Sequence, residues 1–197
     1  MQTVVTTSAA LAELGAQLET FAAIGLDTEF LRERTYRAEL CLVQVSATRD
    51  ASCVDPLALT DLEPLVRALT AQSTIKVMHA SRQDIEVLLP VTGLVRPVFD
   101  TQIAAALTGL PAQVGYAELV RRLIGQDLAK THTRTDWSRR PLSPEQIEYA
   151  LDDVRYLLPL KSLLEEQLQK LGRLQWLSEE LATLEDARSF STEPEQA

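Results

Sequence analysis

Three spacings hold the chemistry this sequence offers. Asp27 and Glu29 stand two apart in IGLDTEF, Asp84 follows His79 by five residues in HASRQD, and Asp153 follows Tyr149 by four in EYALDDV. Residues two apart on a strand project to one face, so Asp27 and Glu29 would lie side by side and repel. Residues i and i+4 on a helix lie one above the other, so Tyr149 and Asp153 project together. Four carboxylates that converge cannot all ionise without cations between them. An all-oxygen donor set suits Mg2+ or Mn2+. Two such ions a few ångströms apart are a device for phosphoryl hydrolysis. Each spacing alone is ordinary: a D-x-E is often a surface pair, an acid just past a strand is most often a solvated helix residue, and a tyrosine is more often core with its hydroxyl at the edge. Their order along the chain, each on a suitable element, gives the set its weight.

The elements that must position these side chains are legible from hydrophobic period. Ala22 to Asp27, Leu40 to Ser46 and Ser52 to Asp55 read as strands close in sequence, hence an antiparallel meander. After Pro56 the period lengthens, and Asp61 opens a helix with Leu62, Leu65, Val66 and Leu69 on one face. TIKVMHA is a short strand, Ser81 to Leu89 a helix, VRPVFDT a last strand, and from Thr101 onward the pattern is helical. This predicts an α/β domain whose mixed central sheet, meander first and then parallel strands, is flanked by helices and ends in a helical C-terminus. Gly125 to Pro144 reads as a polar loop. Ser143 is an N-cap with Pro144 at N1 and Gln146 at N3. The next helix, about Pro144 to Lys170, buries Ile147, Leu151, Val154 and Leu158 and should kink at Pro159. A last helix runs from about Arg173 to Ala187. Thr192 and Glu195 then have capping-box spacing with two residues after them, the mark of an interrupted helix start or of a disordered acidic tail.

The 197 residues suffice for one domain with a full core. A net charge of −9 argues against a broad basic face for duplex nucleic acid, but not against an acidic site neutralised by metal. Basic residues gather twice, as Arg32, Arg34 and Arg37 and as Lys130, His132, Arg134, Arg139 and Arg140; either group alone fits a solvated surface. Cys41 and Cys53 sit in apolar, strand-like runs and read as buried reduced thiols. No stretch has the length of a membrane-spanning helix and the N-terminus lacks signal-peptide character, so a cytoplasmic protein without membrane attachment is expected.

The motifs GLDTEF, LCLVQVS, HASRQDIEVL, VFDTQIAAAL and KTHTRTDWSRRPLSPEQIEYALDDVRYLLPL together resemble the DEDDy branch of the DEDD 3′–5′ exonucleases, the ribonuclease D family above all. The resemblance covers nearly the whole chain. It implies a ribonuclease H-like fold, with Asp27, Glu29, Asp84 and Asp153 as ligands of two divalent ions, Mg2+ or Mn2+. One ion would be held by Asp27, Glu29 and Asp153, the other by Asp27 and Asp84. Tyr149 would orient or deprotonate the attacking water, and the Y-x3-D spacing selects Asp153 over its neighbour Asp152. The substrate would be the 3′ end of single-stranded RNA, tRNA precursors included, and the product a nucleoside 5′-monophosphate. Thr28, Phe30, His79, Gln83 and Arg134 are the candidate substrate contacts, with Arg139 and Arg140 as further phosphate candidates. Phe30 and His79 fit core packing and local hydrogen bonding equally well, and Trp137 reads as loop packing. Residues 1–172 would form the exonuclease domain, and 173–197 a helix and tail leading toward the helical HRDC domains usual in this family. No obligate protein partner is evident.

Other functions compete. The same site could serve short oligonucleotides or single-stranded DNA. A catalytically inactive nucleic-acid-binding domain would have no need of all four acids and Tyr149. An aspartyl-nucleophile phosphatase would want an aspartate where Glu29 stands and a catalytic lysine, for which Lys76 is the one candidate near a strand end.

Overall fold

The structure is a computed structural model, described for residues 4–32, 38–48, 50–128 and 135–190. Its elements are β1 (Val4–Val5), α1 (Ser8–Leu18), β2 (Ala23–Leu31), β3 (Glu39–Ala47), β4 (Asp50–Val54), α2 (Glu63–Thr70), β5 (Ile75–Met78), α3 (Arg82–Thr92), β6 (Val98–Asp100), α4 (Thr101–Leu107), α5 (Tyr116–Leu123), α6 (Pro144–Arg155), α7 (Leu157–Leu171) and α8 (Leu174–Ala182), then a 3-10 turn at Ala187–Phe190. The strands form one mixed sheet in the order β1-β4-β3-β2-β5-β6. β2, β3 and β4 are the antiparallel meander, while β1 joins β4, and β5 and β6 join β2, in parallel. β3 is buried along nearly its whole length, as a strand covered on both faces must be.

Two features of β2 suit it to carry a site. The pleat puts Gly25, Asp27 and Glu29 on one face and Ile24, Leu26 and Thr28 on the other. β5 pairs with it only over Ala23 to Gly25, whereas β3 pairs with it as far as Leu31. From Leu26 onward one edge of β2 is therefore open to a helix.

Local chemistry explains the helices that matter. Thr7 caps α1, accepting from the Ala10 N–H. The Asp100 carboxylate caps α4 through Gln102 and Ile103 and also takes the Ala80 and Ser81 N–H groups and the Ser81 hydroxyl. Ala80 stands at φ 53, a strained left-handed conformation for a residue with a side chain, and those bonds hold the turn that launches α3. Ser143 forms the expected capping box with Gln146.

The structure differs from the sequence reading in four places. β1 and α1 were not foreseen, although Thr7 before an apolar-periodic run is an ordinary N-cap signal. The strand ending at Asp27 continues to Leu31. The single helix from Pro144 to Lys170 is two, broken at Tyr156 rather than kinked at Pro159. Pro159 is the third residue of α7, where its missing N–H costs no helical bond. Leu177, Leu181 and Leu184, within and just after α8, lie in the same core as the sheet. The capping-box spacing at Thr192 and Glu195 lies outside the described residues.

Candidate active site

The D-x-E pair projects from β2 as its pleat requires. Asp27 lies opposite Gln44 and Glu29 opposite Leu42, but Phe30 lies opposite Leu40, so β3 carries one extra residue, Cys41, at the step after Glu29. Such a bulge bends a strand and re-aims its side chains, and bulges are frequent beside active sites. Asp84 reaches the pair around the open edge. It sits in the first turn of α3, where a helix N-terminus favours negative charge. The Thr28 hydroxyl, on the opposite face of β2 from Asp27 and Glu29, donates to its Oδ1 at 2.5 Å.

Asp153 and Tyr149 come down from α6, which crosses β2, β3 and β4. The Tyr149 hydroxyl donates to the Asp153 carboxylate, as their i, i+4 spacing predicts. The Ser46 hydroxyl donates to the Val154 carbonyl at 2.8 Å and fixes the helix to the sheet. The break after α6 is held from outside: the Tyr116 hydroxyl donates to the Asp152 carbonyl and accepts from the Tyr156 N–H, each at 3.1 Å. The Asp152 carboxylate is engaged by Arg155, leaving Asp153 as the acid that faces the set.

Electrostatics show that the four acids share one neighbourhood. Burial pushes Asp27 well above the usual carboxylate range, with Asp84, Asp153 and Glu29 adding to it. Glu29 is pushed up to about 8, by burial first and then by Asp153 and Asp84. Asp153 rises to about 7 through burial and the neighbouring Asp152, against the Tyr149 hydrogen bond. Asp84 rises only to about 6, because the Thr28 hydroxyl stabilises its anion. Burial and these charges together also hold the Tyr149 phenol above its ordinary value. Among the described residues no three His, Cys, Asp or Glu side chains stand close enough to cage an ion as they are. The donor set itself fits hard divalent ions: every candidate ligand atom is a carboxylate oxygen. Cys53, the nearest soft donor, is buried and pushed up to about 12, so it stays a neutral thiol.

The candidate substrate contacts divide. Gln83 is exposed beside Asp84. Phe30 is half-buried against the main core, with the Arg32 guanidinium 5.8 Å from its ring centre. The Thr28 hydroxyl is committed to Asp84. His79 is turned inward: Nδ1 meets Thr101 Oγ1 at 2.9 Å and Nε2 meets the Val114 carbonyl at 3.0 Å, which leaves no ring nitrogen for a phosphate. The Val114 carbonyl can only accept, so Nε2 carries the proton of that bond, and burial lowers the ring's pKa. Arg140 is likewise structural rather than a phosphate ligand. It donates to both oxygens of the buried Asp55, at 2.6 and 2.7 Å, and to the Cys41 carbonyl at the bulge, at 2.8 Å. Arg139 pairs with Asp136 at the surface. Trp137 is buried with Cys41, Leu42, Ala150 and Leu151, the packing role expected of it. Arg134, with Arg34, Arg37, Lys130 and His132, lies outside the described residues. Lys76, the lysine a phosphatase would need, is fully buried and spends its ammonium on the Ala71, Thr74 and Arg96 carbonyls. Asp55 was missed because its partner Arg140 stands 85 residues away; Asp100, just before the apolar run of α4, is an ordinary N-cap signal that went unread.

Residues 2–169 match the model of a 3′–5′ exonuclease family. A ribonuclease D from Jannaschia sp. (strain CCS1) is 47% identical over 98% of this chain and 52% of its own length. The crystal structure of Escherichia coli RNase D, an exoribonuclease involved in structured RNA processing, has a TM-score of 0.92 at 40% identity, over 98% of this chain and 52% of that one. Brucella melitensis NrnC has a TM-score of 0.78 at 32% identity, over 84% of this chain and 82% of that one. NrnC structures with bound Mg2+ and bound to pGG are similar to this chain as well. The chain spans about half the length of the curated relatives it matches. The α/β architecture with its mixed six-stranded sheet is the one these neighbours share, as the motif resemblance implied.

Proposed function

Because the chain belongs to the 3′–5′ exonuclease family, we propose that it is a divalent-metal-dependent 3′–5′ exoribonuclease that removes nucleoside 5′-monophosphates from the 3′ ends of single-stranded RNA. The observation that carries this reading is the gathering of Asp27, Glu29, Asp84 and Asp153, from one strand and two helices, into a single electrostatic neighbourhood. Asp27, Glu29 and Asp153 would hold one Mg2+ or Mn2+, and Asp27 with Asp84 a second. When bound, such ions neutralise charge on the scissile phosphate and lower the pKa of the attacking water. Thr28 keeps the Asp84 carboxylate aimed and anionic. In the metal-free protein, burial and the neighbouring carboxylates hold the Tyr149 phenol above its ordinary value. Its hydroxyl, bonded to Asp153, is proposed to orient the attacking water. Gln83, exposed beside Asp84, and Phe30 are the candidate contacts for the terminal nucleotide, with Arg134 a candidate phosphate contact.

Structured RNA such as tRNA precursors is the proposed substrate, supported by the likeness to RNase D. The likeness to NrnC bound to pGG supports very short strands as a second substrate class. Among the described residues no helix is long and apolar enough to cross a membrane, and we place the activity in the cytoplasm. The test is cleavage of single-stranded RNA labelled at either end. Stepwise loss of 5′-monophosphates from the 3′ terminus, supported by Mn2+ or Mg2+ and abolished by EDTA, is expected; full activity in excess EDTA, or degradation from the 5′ end, would refute it.

A further inference from the structure

Gln44 is fully buried in the middle of β3, yet neither its amide oxygen nor its amide nitrogen has a hydrogen-bond partner. It is the one side chain among the described residues in that condition. Buried polar atoms are almost always satisfied, and one left without a partner calls for a functional explanation. The register places it. Gln44 lies directly opposite Asp27 on β2 and directly opposite Cys53 on β4, so all three side chains share the face covered by α6. Glu29 is its diagonal neighbour, opposite Leu42 on the same face.

The two deficits are complementary. Glu29 carries a half-buried carboxylate to which no described residue donates a hydrogen bond. Gln44 carries a buried amide with two donors and nothing to give them to. Asp84 and Asp153, by contrast, each have a hydroxyl donor, from Thr28 and Tyr149. Resting on the proposed function, we infer that Gln44 is a positioning residue of the metal site, whose free amide N–H2 is taken up by the Glu29 carboxylate when that side chain turns to ligate an ion, and then holds it in that orientation. An amide suits the task better than a charged donor. It orients a carboxylate without neutralising it, so the anionic character an ion requires is kept. Leu42, opposite Glu29, packs with Ala150 and Leu151 of α6 in the cluster that covers this face.

Calorimetric Mn2+ titration and apo thermal unfolding test this on wild type, Gln44→Met, Glu29→Gln and the double variant. Outer-shell partners of metal ligands typically contribute 10–100-fold to affinity. Gln44→Met should therefore weaken Mn2+ binding by roughly 10–100-fold, while the apo protein melts at or above the wild-type temperature. The loss should vanish in the Glu29→Gln background and persist beside Asp84→Asn. Unchanged Mn2+ affinity in a folded Gln44→Met, or additive losses with Glu29→Gln, would overturn the inference while leaving the exonuclease reading intact. If wild type itself binds no Mn2+, the exonuclease reading fails and this one with it. Should Gln44→Met not fold, Gln44→Leu takes its place, and failure of both to fold assigns Gln44 to the core and overturns the proposal.

Discussion

Replacing Glu29 by glutamine should make the metal-free protein more stable, by an amount that grows as pH rises from 4.5 to about 8. The Glu29 carboxyl is displaced from 4.5 in the unfolded chain to about 8 in the fold, by burial and by Asp153 and Asp84. Its protonated form is thus the one the folded state prefers. Below the unfolded value both states carry the proton and nothing is lost. As pH rises from 4.5 to 8 the unfolded chain releases a proton that the folded one retains, and stability falls. Above 8 the cost is complete. At about 1.4 kcal/mol for each tenfold change in proton affinity the displacement corresponds to an upper bound of ~5 kcal/mol. Relaxation and the residual solvent at a half-buried site reduce that to roughly 2–3 kcal/mol. Glutamine has nearly the same shape and no charge, so Glu29→Gln removes this cost.

The assay is urea unfolding in EDTA at about pH 5 and about pH 8.5 for both proteins. A gain of ~2 kcal/mol or more at the higher pH, shrinking strongly at the lower, is expected. Saturating Mn2+ at the higher pH should reverse the ranking, because the ion stabilises the wild type by mass action. Equal stability of the two metal-free proteins at the higher pH would show that Glu29 is not held among like charges, and the electrostatic case for a metal site would lose its strongest member.

Three further outcomes are expected. Tyr149→Phe should lower kcat at saturating Mn2+ by roughly 10²-fold, as single-turnover cleavage would show; a loss near ~10⁴-fold would give the hydroxyl the proton transfer itself. Asp152→Asn should cleave at close to the wild-type rate whereas Asp153→Asn should not cleave measurably, since the former acid is spent on Arg155; equal losses in parallel assays would undo the assignment. Arg140→Met should cost ~3 kcal/mol in urea unfolding, because Asp55, with 5% of its side chain exposed, would be left charged and unpaired; a phosphate-binding Arg140 would instead raise KM with no loss of stability.

What could be read from the sequence was what depends on local geometry. The D-x-E pleat, the Y-x3-D helix face and the Ser143 capping box are set by residues within a turn or two of one another, and each stands where its spacing put it. What could not be read depends on partners far along the chain. Tyr156 interrupts a continuous helical pattern because Tyr116, forty residues earlier, supplies a hydroxyl to the freed backbone. Pro159 was the more visible breaker, yet in a first turn it breaks nothing. His79 looked available beside a strand end until Thr101 and Val114 closed on both its nitrogens. Arg140 looked like part of a basic cluster until Asp55, 85 residues away, claimed it. In each case a residue type capable of function was spent on architecture, and its burial, not its identity, decided which.

The same architecture explains how four mutually repelling acids are made to meet. Asp27 and Glu29 cost nothing to aim, since the pleat does it. Asp84 can join them only because β5 stops at Met78, leaving the edge of β2 free for the first turn of α3. Asp153 can join them only because α6 lies close on the sheet, and that closeness rests on Gly25. A Cβ there would stand 2.2 Å from Ser46 Oγ and 3.1 Å from the Val154 carbonyl, the two groups whose hydrogen bond fixes the helix. The site is therefore assembled by three absences of bulk or pairing: a glycine side chain, a strand partner beyond Gly25, and an unbroken helix after Arg155. None of these favours the apo fold. Glycine costs conformational entropy, an open edge forfeits ladder bonds, and a broken helix leaves backbone groups to be satisfied elsewhere. Together they bring four carboxylates from three elements into one acidic neighbourhood, which is why the cation that relieves their repulsion should act on stability and catalysis through the same residues.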